Sequence, residues 1–132
     1  MAAALLLTLP GLPCLYTGDE VGAEFEPYDE GPPISWRDIY GLQHHYRSVI
    51  SLRKEIPSLR SRSWMPLEVE PSGSVYGYMR YVEPAEQPVI VLLNWHAADL
   101  EARVEMPEQF RFLTSHGTLH DVLARKPIQA RR

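Results

Sequence analysis

Residues 8–22, which read TLPGLPCLYTGDEVG, determine how the rest of the chain is interpreted. Two prolines and a glycine interrupt the apolar run at positions 10, 11 and 13, which leaves residues 14–16 as the core of a short strand. Residues 17–22 are polar and carry two glycines. Because a polar, glycine-containing loop directly follows this core, we predict a short strand that ends at a functional rim.

Asp19 and Glu20 are the two carboxylates of this rim. A pair of carboxylates is a candidate for glycosidase chemistry, in which both groups must converge on one glycosidic bond. Neighbouring side chains on extended backbone, however, point to opposite faces. We therefore predict that these two do not form a catalytic pair. Tyr16, Gly18 and Glu20 are expected on one side, with Glu20 as a buried, hydrogen-bonded carboxylate and Asp19 facing the other way.

Helices are predicted on both sides of the rim. Residues 2–7 are small and apolar, and we interpret them as the end of a buried helix packed on a sheet. Residues 23–33 are rich in acidic residues, proline and glycine and predict a surface loop. Ser35 is predicted to cap a long helix over residues 36–56, with Asp38 in the position of a capping box and a proline after its end. The apolar stripe of this helix recurs at three- and four-residue steps, at Ile39, Leu42, Tyr46, Val49, Ile50 and Ile56.

From residue 61 onward the sequence is typical of an all-β segment, since β-branched and aromatic runs alternate with short turns. Residues 74–82 and 100–106 alternate two sets of side chains and predict strands. Residues 89–93 are apolar throughout and predict a central strand buried on both faces. Weaker strands are predicted over residues 110–113 and 119–123.

The composition of the 132-residue chain excludes several classes of protein. Thirteen basic and seventeen acidic residues give a net charge of −4 with the signs interspersed, so nothing indicates nucleic-acid binding. No apolar run approaches the ~20 residues that a membrane-spanning helix needs. The single cysteine, Cys14, is interpreted as a small core residue, and neither the pair His44 and His45 nor the pair His116 and His120 converges as metal ligands must. We predict no metal and no cofactor.

Four segments together resemble the α-amylase family, also called glycoside hydrolase family thirteen. They are residues 8–22, the PISW of residues 33–36, the YRSVISLR of residues 46–53 and the IPSL of residues 56–59. The resemblance implies an α+β chain in which residues 1–60 are the incomplete end of a (β/α)8 barrel, with one strand over residues 12–16 and one long helix. Residues 61–132 would be a truncated antiparallel β-sandwich, the domain C of the family. A complete barrel needs about 250 residues, so this chain does not contain one.

The same resemblance implies an enzyme that hydrolyses or transfers α-glucosidic bonds in carbohydrate metabolism. Tyr16, Gly18, Asp19 and Glu20 would form the rim of its substrate pocket, whereas the catalytic carboxylates of the family belong to motifs that this chain lacks. No catalytic residue is therefore assigned, and the chain alone is expected to be inactive. It would meet an α-glucan or maltooligosaccharide only when joined to an upstream barrel polypeptide.

Two other interpretations stay open at this point. The β segment is also typical of a non-catalytic carbohydrate-binding β-sandwich module, in which Trp64, Trp95 or the tyrosines of residues 76–81 would stack on sugar rings. Three tyrosines so close together must occupy both faces of a strand, however. Residues 1–13 are also similar to a secretory or lipoprotein leader, although they lack a basic start. Without such a leader we expect a cytoplasmic protein.

Overall fold

The computed structural model describes residues 1–24, 33–113 and 119–128. Most of the predicted acidic loop, residues 25–32, lies outside these described residues, as does His116. The described part is α+β, with two α-helices followed by an antiparallel sheet of four strands and a two-stranded hairpin. The elements are α1 (Ala2–Thr8), α2 (Leu42–Glu55), β1 (Trp64–Glu70), β2 (Val75–Val82), β3 (Glu86–Asn94), β4 (Arg103–Glu105), β5 (Leu119–Asp121) and β6 (Lys126–Ile128), with 3-10 turns at Asp19–Val21, Pro57–Leu59 and Glu108–Phe110.

α1 confirms the helix predicted at the start of the sequence, but it packs mainly against α2 rather than on a sheet. Ala3, Leu7 and Thr8 are buried, whereas Leu6 is 39% exposed. Alanine and leucine favour a helix intrinsically, but seven residues are too few for a helix that is stable by itself. α1 is therefore held by its contacts with the rest of the fold.

The strand predicted over residues 12–16 is wrong, because these residues form neither a helix nor a strand. A strand is stabilised by ladder hydrogen bonds to a neighbour. Among the described residues no strand lies beside this segment, since the sheets contain only β1 to β6. Local apolar character was not enough to form a strand without a partner.

α2 begins at Leu42, six residues later than the predicted start at position 36. Gly41 holds a left-handed conformation with φ of 67°, which breaks the helical path before that point. The side chain of Asp38 accepts hydrogen bonds from the backbone amides of Leu42, at 2.7 Å, and Gln43, at 3.1 Å. Asp38 is thus the capping acid in place of Ser35. The predicted end is confirmed, since α2 stops at Glu55, two residues before a proline.

The strand order of the main sheet is β3-β2-β1-β4, so β2 and β1 are central. The prediction that residues 89–93 form a central strand buried on both faces is wrong, because β3 lies at an edge and Leu92 is 44% exposed. β2 takes that place, with Tyr78, Met79 and Arg80 all fully buried. An apolar run does not distinguish an edge strand from a central one, because the neighbours of a strand are set by topology.

Of the other strand predictions, some are confirmed in full or in part and one is wrong. β2 confirms the strand predicted over residues 74–82, while β4 and β5 are shorter than the segments predicted at 100–106 and 119–123. The strand predicted over residues 110–113 is wrong, since a 3-10 turn ends at Phe110 there. β1 has no predicted counterpart because Pro66 interrupts its pattern. Its first half pairs with β2 and its second half with β4, so the sheet curls.

The two faces of β2 are covered by different parts of the chain. One face meets a hydrophobic core formed by Leu67, Val69, Met79 and Phe110. Gly77 lies on this face, where an added Cβ would overlap the side chain of Val69. The opposite face carries Tyr78, whose hydroxyl is hydrogen bonded to the hydroxyl of Thr8 at the end of α1. The helical part of the chain therefore packs on the sheet.

Arg80 joins the two parts of the chain. Its guanidinium donates to the carbonyl oxygens of Ser63, at 3.2 Å, and Ser61, at 2.5 Å, and also to that of Thr8. Burial lowers the pKa of Arg80, and the nearby charge of Arg53 lowers it further, while Tyr78 opposes the shift. A buried cation is tolerated only when its hydrogen bonds are satisfied.

Replacement of Arg80 by methionine should lower the free energy of unfolding by about 2–4 kcal/mol, because one buried and two partly buried carbonyl groups would lose their donor. Urea denaturation followed by circular dichroism measures the change. Arg62→Met is the matched control, since Arg62 is exposed and should change stability by less than about 0.5 kcal/mol. Equal effects of the two substitutions would contradict a structural role for the Arg80 contacts.

Candidate functional site

The predicted rim is a compact turn between α1 and α2. The amide of Tyr16 donates to Oδ2 of Asp19, at 2.8 Å, while the amide of Asp19 donates to the carbonyl oxygen of Tyr16, at 3.1 Å. Gly18 adopts φ of 96°, and an added Cβ would lie 2.8 Å from that of Ala23. Both the backbone angle and the lack of space require glycine there.

The structure places the four predicted rim residues differently from the expectation. Asp19 is exposed but is the carboxylate that accepts the hydrogen bond from the Tyr16 amide, whereas Glu20 is half-buried. The prediction that Glu20 would be the buried, hydrogen-bonded carboxylate is therefore not what the structure shows. Gly18 is buried, and Tyr16 is 58% exposed. The prediction assumed extended backbone, on which successive side chains alternate between two faces, but the segment forms a turn followed by a 3-10 segment.

A cleft of about 450 Å³ lies between the rim and α2. It brings together Tyr16 and Glu20 of the predicted rim, but Gly18 and Asp19 do not line it. The full lining is Leu15, Tyr16, Thr17, Glu20, Gln43, Tyr46, Arg47 and Ile50. Half of these side chains come from α2, at spacings that place them on one helical face. The sequence pattern contained that spacing, but only the fold shows which face meets the rim.

The cleft combines an apolar floor with polar groups around it. Leu15 and Ile50 supply the apolar part, and Glu20 is the one carboxylate in the described lining. Burial raises the pKa of Tyr46, and the negative charges of Asp19 and then Glu20 raise it further. Nη2 of Arg47 is 3.4 Å from Oε1 of Gln43. With hydroxyl, carboxylate, amide and guanidinium groups, the cleft can hydrogen bond to a neutral polar ligand, but its described lining lacks the second carboxylate that acid–base hydrolysis needs.

The histidines and the cysteine show no arrangement typical of a metal or nucleophile site. Across residues 1–24, 33–113 and 119–128, no three histidine, cysteine, aspartate or glutamate side chains are grouped so that they could hold a metal ion. Nε2 of His45 is buried without a hydrogen-bond partner, and burial lowers its pKa, helped by the chain's amino terminus and His44. The prediction that Cys14 is a core residue is wrong, since it is exposed.

The tyrosines of β2 occupy both faces of the sheet, as the alternation predicts. Tyr76 and Tyr78 share one face, with ring centroids 5.5 Å apart, and Trp64 contacts Tyr78 edge-on at 6.4 Å. Tyr81 lies on the opposite face, against Phe110 at 5.2 Å. Trp64 is 41% exposed and Tyr76 is 39% exposed. These two rings therefore flank the buried Tyr78 and reach solvent.

Comparison with known proteins gave no match to a family model, to a curated protein or to a solved structure. Within the part of the chain that the structure describes, no helix has the length and apolar character to cross a membrane.

The raised pKa of Tyr46 leads to a test of the cleft geometry. Asp19→Asn and Glu20→Gln each remove a negative charge that opposes the phenolate, so each should lower the pKa of Tyr46, although burial will keep it above the usual value. The ultraviolet difference signal of phenolate formation, assigned with a Tyr46→Phe variant, measures this change. Glu24→Gln carries the same change of charge outside the cleft lining and should leave the titration unaltered. An unchanged titration in the first two variants would show that the rim does not face α2.

Proposed function

We propose that this chain is the C-terminal part of an α-amylase-like enzyme that hydrolyses or transfers α-glucosidic bonds. The observation that supports it most directly is the cleft in which Tyr16 and Glu20 meet α2. The order of elements also fits, because a rim turn is followed by a helix and then by an antiparallel sheet. In this proposal residues 1–60 complete a barrel and residues 61–132 form its domain C.

The chain's role in the proposed enzyme is to shape the pocket rather than to cleave the substrate. Retaining hydrolysis needs two carboxyl groups about 5–5.5 Å apart, and the described lining of the cleft offers only Glu20. The nucleophile and the acid would belong to an upstream barrel polypeptide. Leu12, at 99% exposed, and Leu15, at 37%, lie in the irregular segment before the rim and offer apolar surface to such a partner.

Co-expression of this chain with an upstream polypeptide that carries seven barrel strands should yield a soluble complex that cleaves maltooligosaccharides. Neither polypeptide alone should be active, because each lacks part of the pocket. Reducing-sugar release and chromatography of the products measure hydrolysis and transfer. A folded complex that shows neither activity would contradict the proposal. A complex containing Glu20→Gln tests the rim, and its KM should rise if Glu20 contacts the substrate.

A second candidate function is carbohydrate binding by the β segment alone. The observation that favours it is the pair Trp64 and Tyr76, which flank Tyr78 on one sheet face and are each about 40% exposed. Aromatic side chains carry large apolar area at low conformational cost and stack on flat ligands. In this alternative the pair would bind the rings of an α-glucan without cleaving it.

Affinity electrophoresis of the chain in gels that contain soluble starch separates the two candidates. A carbohydrate-binding module should be retarded by starch, and Trp64→Ala combined with Tyr76→Ala should abolish the retardation. Trp36→Ala is the control, because Trp36 is 58% exposed but lies before α2, outside the sheet. The proposal of an enzyme fragment expects no retardation of any of these proteins, so starch binding that depends on the pair would favour the second candidate.

A further inference from the structure

Arg53 lies at the carboxyl end of α2 and contacts the bend by which the chain leaves α1. Its Nη1 donates to the carbonyl oxygens of Leu7, at 2.7 Å, and Leu9, at 3.1 Å, and its Nη2 donates to that of Gly11, at 2.6 Å. One guanidinium therefore binds three carbonyl groups of the bend. Gly11 turns the chain at φ of 113°. The irregular segment that begins after Gly11 leads directly to the rim at Tyr16.

The position of Arg53 on α2 connects this bend with the cleft. Tyr46 and Ile50 line the cleft, and Arg53 follows them at a three-residue step on the same face of the helix. One helical face thus carries the wall of the cleft at one end and the anchor of the bend at the other. A guanidinium is suited to this task because its rigid fork donates several hydrogen bonds in fixed directions, which a lysine ammonium cannot reproduce.

We propose that Arg53 is a positioning residue for the rim, which holds the bend after α1 and so sets where Tyr16 stands relative to α2. The inference rests on the proposed function only for the statement that the rim contacts a substrate. Arg53 does not line the cleft and acts through the backbone of residues 7–11. Loss of its guanidinium should move the rim while the sheet stays folded.

Arg53→Lys tests this directly, because it keeps the charge and loses the fork. In amide exchange followed by nuclear magnetic resonance, the Tyr16 amide should exchange about tenfold faster or more, since its bond to Asp19 would open more often. The chemical shifts of residues 12–18 should change, while the amides of Tyr78 and Met79 in β2 keep their protection. Arg60→Lys is the matched control, because Arg60 donates to the backbone carbonyl oxygens of Lys54 and Arg53 at the same end of α2 without reaching the bend.

Two results would overturn the proposal. One is an unchanged exchange rate and chemical shift at Tyr16 in Arg53→Lys. The other is a parallel loss of protection at Tyr16 and in β2, which would make Arg53 a general stabilising residue. In the reconstituted enzyme, Arg53→Lys should raise KM about threefold or more with kcat unchanged. An inactive complex would refute the proposed function but leave the resonance measurement as a separate test of Arg53.

Discussion

The fold depends on the buried guanidinium of Arg80, whose hydrogen-bond partners among the described residues are all backbone carbonyl oxygens. Arg80 donates to carbonyl oxygens of residues 8, 61 and 63, so one side chain of β2 links the end of α1 to the segment that enters the sheet. A cation in such an environment is stable only with its donors satisfied. Those carbonyl groups must therefore stay within hydrogen-bond distance of Arg80. This holds the end of α1 and the segment before β1 in fixed positions relative to β2.

The carboxyl end of α1 explains why two arginines gather there. The last carbonyl groups of a helix lack intrahelical partners and carry a partial negative charge. Arg80 approaches them from the sheet and Arg53 approaches from α2, although the charge of Arg53 adds to the effect of burial in lowering the pKa of Arg80. A seven-residue helix that would not be stable alone is thus tied to the sheet at its carboxyl end, while the 3-10 turn Pro57–Leu59 packs against β2 and β3.

In the candidate site, some features follow from residues close together in the sequence and others follow from tertiary packing. Glycine at position 18 and the polar residues after it predict a turn, and a turn forms, but its 3-10 geometry brings Asp19 rather than Glu20 to the Tyr16 amide. The α2 residues of the cleft were not predicted as site residues. Tyr46 and Ile50 belong to the predicted apolar stripe, whereas Gln43 and Arg47 do not, and nothing local shows that this face meets a polar turn.

The sequence by itself determined the features that depend on residues close together along the chain. These include the end of α2 before a proline and the placement of Tyr78 and Tyr81 on opposite faces of β2. Tertiary structure decided which strand is central and that Arg53 and Arg80 turn inward. The contact of Arg53 with Leu7 spans 46 positions of the sequence, and that of Arg80 with Thr8 spans 72. Such contacts depend on how whole elements pack, so no local sequence pattern predicts them.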